Sequence, residues 1–438
     1  MDLKGQRVAI LGAGGSGLAA AALALACGAR VEAFDSGDSD KLSPAVARFE
    51  EAGVTLTTGD AALAPEGTFD LTVMSPGIAL SWPIARVFAH ISTELVGEIE
   101  FAFRANTAPV IAITGTNGKT TTTSLITEML KGSGLQAVAA GNIGLPFSEV
   151  VLSGKRYDWI VLELSSFQLE TISSFSSPIA IWLNFAPDHM DRYDAVEDYR
   201  AAKERIFMNR SDGAVAIVRK GEAVADGWPR IEFSAFQDGT DYFYTEGAIG
   251  HSGSSETFDF SSCELQGRHN AENMMVALAV ADHLSLDRKA VLPALKSFLP
   301  PAHRCEKVGK RDGVIFVNDS KSTNLHSLES ALSGQDEPVV LIVGGKDKGL
   351  DFSSLTGLVS AKVKHAVCMG EIASSISELW GGTVPCECAE SLPAATGKAF
   401  AAAAEGDVVL FSPGTSSFDM FCGYEARGEA FRDAVANL

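Results

Sequence analysis

The chain has 438 residues, of which 46% are hydrophobic and 21% are charged, so it is long enough for about three ordinary domains with buried cores. Its 35 Lys and Arg residues stand against 55 Asp and Glu residues, which gives a formal net charge of −20. This acidity argues against a nucleic-acid partner and against docking to anionic lipid, but it leaves room for a local phosphate site.

The cysteines and the apolar segments indicate the cellular setting. Seven scattered cysteines without paired CxxC motifs argue against a disulfide framework and against a structural zinc site. The N-terminus lacks the apolar core of a signal peptide, and the longest apolar run, residues 17–27, is shorter than the ~20 residues that span a bilayer. We therefore expect a soluble, cytoplasmic protein without a membrane partner.

The first part of the chain alternates strands with turns and helices. Apolar runs at residues 7–11, 30–34 and 71–74 are predicted strands, and an Ala- and Leu-rich helix follows the glycine-rich turn at 12–17. This alternation predicts a parallel sheet with crossover helices, with a boundary just before a new strand starts at Val110.

The first turn has a glycine pattern typical of diphosphate binding. Gly12, Gly14 and Gly17 match G-x-G-x-x-G, and Asp35 follows at about the place of a ribose-binding acid. The pattern alone suggests an NAD enzyme. Its physical content is a helix N-terminus with space for a diphosphate, which UDP also carries. A tight turn without a ligand is the third interpretation.

A second glycine-rich loop is the strongest chemical signal. It follows a predicted strand at 110–114 and precedes residues with helical spacing. Its residues are Gly115, Thr116, Asn117, Gly118, Lys119, Thr120 and Thr121. The backbone amides of such a loop hold phosphate oxygens, Lys119 reaches the β- and γ-phosphates, and the Thr120 hydroxyl can bind Mg²⁺.

Polar residues follow the next two predicted strands. The apolar strand at 159–163 ends in Glu163, a position suited to a magnesium ligand. The segment after the strand at 179–184 contains Asp188, His189, Asp191 and Arg192. Open α/β sheets place their sites at the carboxyl ends of strands, so we expect these groups near the phosphate loop.

One lysine lies where a predicted helix should be apolar. Residues 194–209 are predicted to form a helix whose apolar stripe consists of Val196, Tyr199, Ile206 and Phe207. Helical spacing places Lys203 on the same stripe. Such a lysine either extends its charge to solvent or has a function, and the spacing leaves both possibilities open.

The last part of the chain repeats the pattern. Predicted strands at 314–318, 339–343 and 408–411 each end in a loop, and Pro300 and Pro301 mark a break before them. The whole chain is therefore expected to be α/β with doubly wound sheets.

Together these residues resemble the Mur ligase family, the ATP-dependent amide-bond-forming enzymes of peptidoglycan synthesis. The resemblance runs through the whole chain in TGTNGKTTT (114–122), GNIG (141–144), ELSSFQLE (163–170), NFAPDHMDRY (184–193), YRAAKERIF (199–207), GRHNAEN (267–273), HRCE (303–306), NDSKSTN (318–324), GGKDKGLDF (344–352) and SPGTSSFD (412–419). The SSFQLE and NDSKSTN segments are similar to those of the members that add D-glutamate.

The resemblance implies an α/β chain of three domains. These are a Rossmann-like domain at 1–108 that binds a UDP substrate, a central P-loop domain at 109–300 that binds ATP, and a Rossmann-like domain at 301–438 that binds the incoming amino acid. The implied reaction joins D-glutamate to UDP-N-acetylmuramoyl-L-alanine through an acyl phosphate, with two Mg²⁺ ions. A monomer is expected. A family member that adds another amino acid and a folylpolyglutamate-synthase-like ligase remain alternatives.

The resemblance also implies the site residues. Contacts to the UDP substrate fall on Ser16, Asp35, Ser36, Ser75, Gly77, Asn142 and Ser165. Contacts to ATP fall on the loop from Gly115 to Thr121 and on Asn270, Asn273, Arg304 and Asp319. Contacts to D-glutamate fall on Lys321, Thr323, Lys348, Ser417, Phe418 and Tyr424. The metal ligands are Thr120, Glu163, His189 and a carbamylated Lys203, and the catalytic residues are Lys119, His189 and Lys203.

Overall fold

The computed structural model describes residues 1–190, 192–299, 302–335 and 337–438. Within them the chain forms three sheets with helices between the strands, which confirms the predicted α/β class. None of the described helices is long and apolar enough to cross a membrane. Pro300, Pro301 and Asp191, which the sequence singled out, lie outside the described residues.

The first sheet is parallel and has five strands. They are β1 (Arg7–Leu11), β2 (Arg30–Asp35), β3 (Thr55–Thr58), β4 (Leu71–Met74) and β5 (Leu95–Gly97). The helices are α1 (Gly15–Ala26), α2 (Ser39–Glu51), α3 (Pro83–Ile91) and α4 (Glu98–Ala105). The strand order is β3-β2-β1-β4-β5, so the order reverses between β1 and β4 and opens a crevice at their carboxyl ends.

The second sheet has nine strands in the order β14-β13-β12-β11-β10-β9-β6-β8-β7. Its strands are β6 (Val110–Thr114), β7 (Ala137–Gly141), β8 (Trp159–Glu163), β9 (Ile179–Trp182), β10 (Val215–Arg219), β11 (Arg230–Ser234), β12 (Tyr242–Thr245), β13 (Ala248–His251) and β14 (Thr257–Asp259). The helices are α5 (Lys119–Gly132), α6 (Phe147–Leu152), α7 (Ser166–Leu169), α8 (Val196–Glu204), α9 (Arg268–His283) and α10 (Arg288–Lys296). Because β6 pairs in parallel with both β8 and β9, the loops after these strands meet at one edge.

The third sheet has six strands in the order β15-β16-β20-β17-β18-β19. Its strands are β15 (Glu306–Arg311), β16 (Val314–Asn318), β17 (Val339–Val343), β18 (Val363–Met369), β19 (Cys386–Ala389) and β20 (Val408–Phe411). The helices are α11 (Leu325–Ser333), α12 (Thr356–Lys362), α13 (Ala373–Trp380), α14 (Leu392–Ala402) and α15 (Tyr424–Ala436). Only β15 pairs antiparallel among the strand pairs described for this sheet, and β20 lies between β16 and β17.

The chain divides into two compact units. The first unit contains Met1–Thr245, Ile249–Phe258 and Asn273–Leu295, and the second contains Glu246–Ala248, Asp259–Glu272 and Lys296–Leu438. The first unit thus holds the first sheet and β6 to β12, and the second holds the third sheet. The domain boundaries at 108 and 300 stay predictions.

The central strands are buried on both faces, as crossover helices require. All five residues of β6 and of β17 are buried, which explains why these strands are continuous apolar runs. The predicted helix at 194–209 is shorter than expected: α8 ends at Glu204 and a 3-10 turn, Arg205–Phe207, follows it. Within that turn Ile206 is buried, and Arg205 donates to the Leu169 carbonyl at 2.8 Å.

Two buried carboxylates of α4 join the first sheet to connections of the second, within the first unit. Glu98 accepts the backbone N–H of Ser148 at 2.6 Å. Glu100 accepts the backbone N–H groups of Ser173, Ser174 and Phe175 at 2.9 to 3.0 Å. Burial alone would raise the pKa of Glu100, but the Ser174 hydroxyl, these amides and Arg104 outweigh it and lower the pKa to about 2.

Glu100→Gln should therefore destabilise the protein in a pH-dependent way. The folded pKa of about 2 lies below the reference value of 4.5, so the ionised carboxylate stabilises the fold above about pH 4.5 and this contribution disappears as the pH falls towards 2. We expect a loss on the order of 3 kcal/mol at neutral pH, measured by urea unfolding, which shrinks in acid.

Glu94→Gln is the matched control. Glu94 pairs with the same Arg104 at 2.7 Å but is largely exposed, so its removal should cost less than ~1 kcal/mol. A Glu100→Gln deficit that is equal at neutral and acid pH would contradict the ionic role of Glu100.

Candidate active site

The second glycine-rich loop is held by the segment that follows β9. The backbone N–H of Asn117 donates to the Asn184 side-chain oxygen at 2.9 Å, and the Asn184 amide returns a bond to the Asn117 carbonyl at 3.1 Å. The Thr116 hydroxyl donates to the Ala186 carbonyl at 3.0 Å. The loop therefore has a fixed shape before α5 begins at Lys119.

Two lysines meet at one backbone oxygen of this loop. The Lys119 ammonium donates to the carbonyls of Gly115 at 3.0 Å and Thr116 at 2.9 Å. Lys203, on α8, donates to the same Gly115 carbonyl at 2.8 Å. Lys203, which the helical spacing singled out, thus lies at the second glycine-rich loop, and its ammonium does not extend to solvent.

Burial makes the charge of Lys203 costly. The residue is only 2% exposed, and its nitrogen lies 4.7 Å from the centre of the Tyr199 ring. Desolvation, with the nearby charge of Lys119, holds the pKa of Lys203 well below its ordinary value, although Asp188 and Glu163 act in the opposite direction. The neutral amine is therefore far more accessible at this position than for a surface lysine.

Glu163 has an unused buried oxygen. One carboxylate oxygen accepts the Asn142 side-chain amide at 2.8 Å, and the other is buried without a hydrogen-bond partner among the residues that the structure describes. Thr120, at the start of α5, is also buried. A carboxylate oxygen and a hydroxyl are ligands that suit Mg²⁺, so this pair fits the predicted metal site.

The other predicted ligands are less enclosed. His189 has a left-handed backbone, with φ of 58°, and its side chain is 40% exposed. Its backbone N–H donates to the Asp188 carboxylate at 2.8 Å, and its ring packs 4.9 Å from Phe167. Across residues 1–190, 192–299, 302–335 and 337–438, no group of three His, Cys, Asp or Glu side chains forms a metal site. Two of the predicted metal ligands, Glu163 and His189, are of these residue types, so the predicted metal site also depends on Thr120 and on a modified Lys203.

Arg192 connects this region to the first sheet. Its guanidinium donates to the Pro76 carbonyl at 3.0 Å and pairs with Glu170 at 2.7 Å. It also stacks over Phe167, 4.0 Å from the ring centre, and the Tyr193 hydroxyl donates to Glu170 at 2.5 Å. The loop after β4 is thus fixed relative to the loop after β9.

The first glycine-rich loop lies in the crevice of the first sheet. A Cβ at Gly17 would lie 1.9 Å from the Gly12 carbonyl oxygen, so the close approach of α1 to the loop requires glycine there. Asp35 accepts the backbone N–H groups of Ala13 at 2.8 Å and Gly37 at 2.9 Å, and thereby braces the loop. The Ser75 hydroxyl is buried and has no hydrogen-bond partner in the described part of the chain, so it can serve a ligand.

The remaining residues of the predicted UDP site differ in accessibility. Ser16 is half-buried, whereas Ser36 and Gly77 are exposed. Ser165 caps α7: its hydroxyl accepts the backbone N–H of Gln168 at 3.3 Å. The Ser165 hydroxyl is therefore already used for local structure.

The predicted ATP contacts divide between the two units. In the first unit, the Asn273 side-chain oxygen accepts the Thr122 hydroxyl at 3.0 Å, beside the phosphate loop. In the second unit, Asp319 accepts the Ser412 hydroxyl at 2.8 Å and the backbone N–H of Cys305 at 3.2 Å, and burial raises the pKa of its carboxyl to about 6. The charge of the nearby Arg304 opposes that rise in the pKa of Asp319. Asn270 also lies in the second unit, and its side-chain amide donates to the Gln266 carbonyl at 2.7 Å.

The predicted D-glutamate contacts lie at carboxyl ends of strands in the third sheet. Lys321 and Thr323 follow β16, Lys348 follows β17, and Ser417 and Phe418 follow β20. Tyr424 begins α15, with its ring centre 5.0 Å from the Lys321 nitrogen. Ser417 is buried, and Phe418 is exposed.

Sequence reasoning missed a buried arginine behind these loops. Arg427, on α15, is 1% exposed and contacts the loops that contain Ser320 and Thr415. It shares a helix face with Phe431 and Ala434, which are also buried. The periodicity that singled out Lys203 could have found it.

Comparisons with known proteins agree on one family along the chain. Residues 113–281 match the model described as Mur ligase middle domain, and residues 303–414 match the model described as Mur ligase, glutamate ligase domain. A UDP-N-acetylmuramoylalanine--D-glutamate ligase of Geotalea uraniireducens is 37% identical over 450 residues, covering 100% of this chain and 99% of the relative. A protein of the same name from Chromobacterium violaceum is 39% identical over 458 residues, covering 100% and 98%.

A solved structure shares the fold. The UDP-N-acetylmuramate-alanine ligase of Thermotoga maritima matches with a TM-score of 0.63 over 99% of both chains, at 17% sequence identity. At this identity the likeness concerns the fold alone.

Lys203→Met should stabilise the protein without ligands or CO₂. Methionine has a similar length but no charge to desolvate, so we expect a gain of about 1 kcal/mol or more in urea unfolding at neutral pH. The folded pKa of Lys203 lies below 10.5, so the stability of the wild type rises as the pH approaches 10.5 and the advantage of the variant shrinks. If the variant is less stable than the wild type by the same amount at every pH, the prediction that the buried charge of Lys203 destabilises the fold is wrong.

Proposed function

Because the chain belongs to the Mur ligase family, we propose that it catalyses the ATP-dependent addition of D-glutamate to UDP-N-acetylmuramoyl-L-alanine. The observation that carries the proposal is the match, from end to end of the chain, to relatives named for this reaction. The same relatives disfavour the addition of a different amino acid. The first sheet disfavours a folylpolyglutamate-synthase-like ligase, which has no domain for a UDP substrate.

The chemistry explains why ATP is needed. A carboxylate does not condense with an amine in neutral water, because oxide is a poor leaving group. Transfer of the γ-phosphoryl group of ATP to the carboxylate oxygen releases ADP and forms an acyl phosphate. The amine of D-glutamate then attacks the acyl carbon, the amide bond forms, phosphate leaves and the amine loses a proton.

Lys119 is proposed to stabilise phosphoryl transfer. Its ammonium lies on the Gly115 and Thr116 carbonyls at the beginning of α5, where a helix N-terminus also favours anions. Bound phosphates compete with these carbonyls for the ammonium. The charge that develops during transfer then meets a donor that is already in place.

Magnesium is proposed to bind at the same edge of the sheet. The expected ligands are Thr120, Glu163, His189 and a carbamylated Lys203, and the unpartnered oxygen of Glu163 supports this set. Two Mg²⁺ ions held there would screen the repulsion between the triphosphate and the substrate carboxylate.

Lys203 is proposed to react with CO₂. Its neutral amine, favoured by burial, forms an N–C bond to CO₂ and releases a proton, which leaves an anionic carbamate. Carbamate oxygens are hard ligands that suit Mg²⁺ better than nitrogen does. This modification turns a buried amine at the second glycine-rich loop into an anionic metal ligand and catalytic group.

The substrates are proposed to divide between the units. The UDP substrate binds at the first glycine-rich loop, where the Ser75 hydroxyl has no hydrogen-bond partner among the described residues and the space beside Gly14 is open. NAD is disfavoured there because the proposed reaction contains no redox step. D-glutamate binds the loops after β16, β17 and β20.

We place the reaction in the cytoplasm. The seven cysteines all lie within the described ranges and are free, which fits a reducing compartment. The monomer stays a prediction.

Phosphate release tests the proposal directly. With ATP and Mg²⁺, the protein should release phosphate only when UDP-N-acetylmuramoyl-L-alanine and D-glutamate are both present. L-glutamate, L-lysine and L-alanine should give background rates, because the relatives are named for D-glutamate. Equal release with any of these amino acids, or without the UDP substrate, would refute the proposal.

A further inference from the structure

Arg427 is buried in the second unit and bonds to backbone oxygens. Its guanidinium donates to the Ser320 carbonyl at 2.8 Å and the Ser320 hydroxyl at 3.1 Å. Both terminal nitrogens donate to the Thr415 carbonyl at 3.1 Å. One side chain therefore holds the loop after β16 and the loop after β20 together.

The loop after β17 joins the same junction. The Thr415 hydroxyl donates to the Lys346 carbonyl at 2.6 Å, and the Lys346 N–H donates to the Ser416 carbonyl at 3.0 Å. A Cβ at Gly345 would lie 2.6 Å from the Ser416 oxygen and 3.2 Å from an Arg427 nitrogen, so these loops are in close contact. Arg427 thus lies behind the meeting point of three loops.

These three loops contain most of the expected D-glutamate contacts, namely Lys321, Thr323, Lys348, Ser417 and Phe418. We infer that Arg427 is a positioning residue for the amino-acid substrate, because it fixes the relative positions of the three loops that bind D-glutamate. This inference rests on the proposed function. Arg427 acts through the loops and touches no substrate.

The bonds require the shape of arginine. A planar guanidinium can donate to two carbonyls and a hydroxyl at once, whereas the ammonium of a lysine is a single point with a shorter reach. Burial lowers the pKa of Arg427 to about 10, and Asp419 and Asp319 oppose that change, so the group is charged at neutral pH. Lysine at this position retains the charge and loses the connection between the loops.

The effect should be specific to one substrate. The UDP substrate is assigned to the first unit, whose loops are held by other groups, among them Asp35 and Arg192. Looser loops in the second unit should therefore weaken D-glutamate binding and leave the UDP substrate unaffected. A general loss of folding would change both.

Arg427→Lys tests the inference through steady-state kinetics of phosphate release. We expect the KM for D-glutamate to rise at least about tenfold, equivalent to ~1.4 kcal/mol, with kcat within about threefold and the KM for the UDP substrate unchanged. Ser320→Ala removes the hydroxyl that accepts the Arg427 Nε–H at 3.1 Å and that donates to the Tyr424 carbonyl at 2.9 Å, and it should raise the same KM by a smaller factor. If Arg427→Lys does not fold, the KM of Ser320→Ala for D-glutamate tests the inference instead.

Arg432→Lys is the matched control. Arg432 lies on the same helix, its side chain is 39% exposed, and it pairs with Glu306 and Glu429 at the surface. Its substitution should leave both KM values unchanged. An unchanged KM for D-glutamate in folded Arg427→Lys would overturn the inference. If Arg427→Lys is unfolded, an unchanged KM for D-glutamate in Ser320→Ala would overturn it. An equal rise of the KM values for both substrates would also overturn it. A wild type without D-glutamate-dependent release would instead refute the proposed function.

Discussion

Lys119 and Lys203 share the carbonyl oxygen of Gly115, and this contact constrains everything around it. Two ammonium groups on one neutral oxygen repel each other, and one of them is buried. A neutral amine at Lys203 relieves this repulsion, and so do anions, whether the nearby Asp188 and Glu163 or a bound ligand. Both solutions agree with the proposed chemistry, because ATP brings phosphates and CO₂ converts the neutral amine of Lys203 into an anion. The unpartnered oxygen of Glu163 is then available to a metal ion.

The first unit holds its two candidate binding loops in a fixed relation. Glu100 binds three consecutive backbone amides across the junction between the first and second sheets. Arg192 joins the segment after β9 to the loop after β4 through the Pro76 carbonyl. Phosphoryl transfer requires the substrate carboxylate and the γ-phosphate to approach within about 3 to 3.5 Å, and we propose that this rigidity favours that approach. Arg427 has the corresponding task in the second unit, where it holds loops and not sheets together.

Local patterns in the sequence predicted much of this molecule. The strands β1, β4, β6, β8, β16, β17 and β20 have the predicted bounds, because a buried parallel strand is a continuous apolar run that ends in turn residues. Helical spacing also placed Lys203 on a buried face, although the helix ends at Glu204 and a 3-10 turn follows it. These features depend on neighbours in the chain, which a sequence displays directly.

Long-range contacts were not predictable in the same way. Nothing local shows that the backbone amides of Ser173 to Phe175 meet Glu100, or that Ser320 and Thr415 meet Arg427. Asp35 fits the position of a ribose-binding acid, but its carboxylate also braces the amides of Ala13 and Gly37, a role that only the folded loop reveals. The family resemblance supplied the candidate site residues, which stay predictions, and the structure adds what holds those residues in place.

The carbamate on Lys203 is the central claim, and carbon-13 NMR tests it most directly. The protein is equilibrated with ¹³C-bicarbonate, Mg²⁺ and ATP, and the spectrum is compared with that of the Lys203→Met variant. The account predicts a carbamate resonance from the wild type that is absent from the variant. A wild-type spectrum without that resonance at saturating bicarbonate, or the same resonance in Lys203→Met, would contradict it.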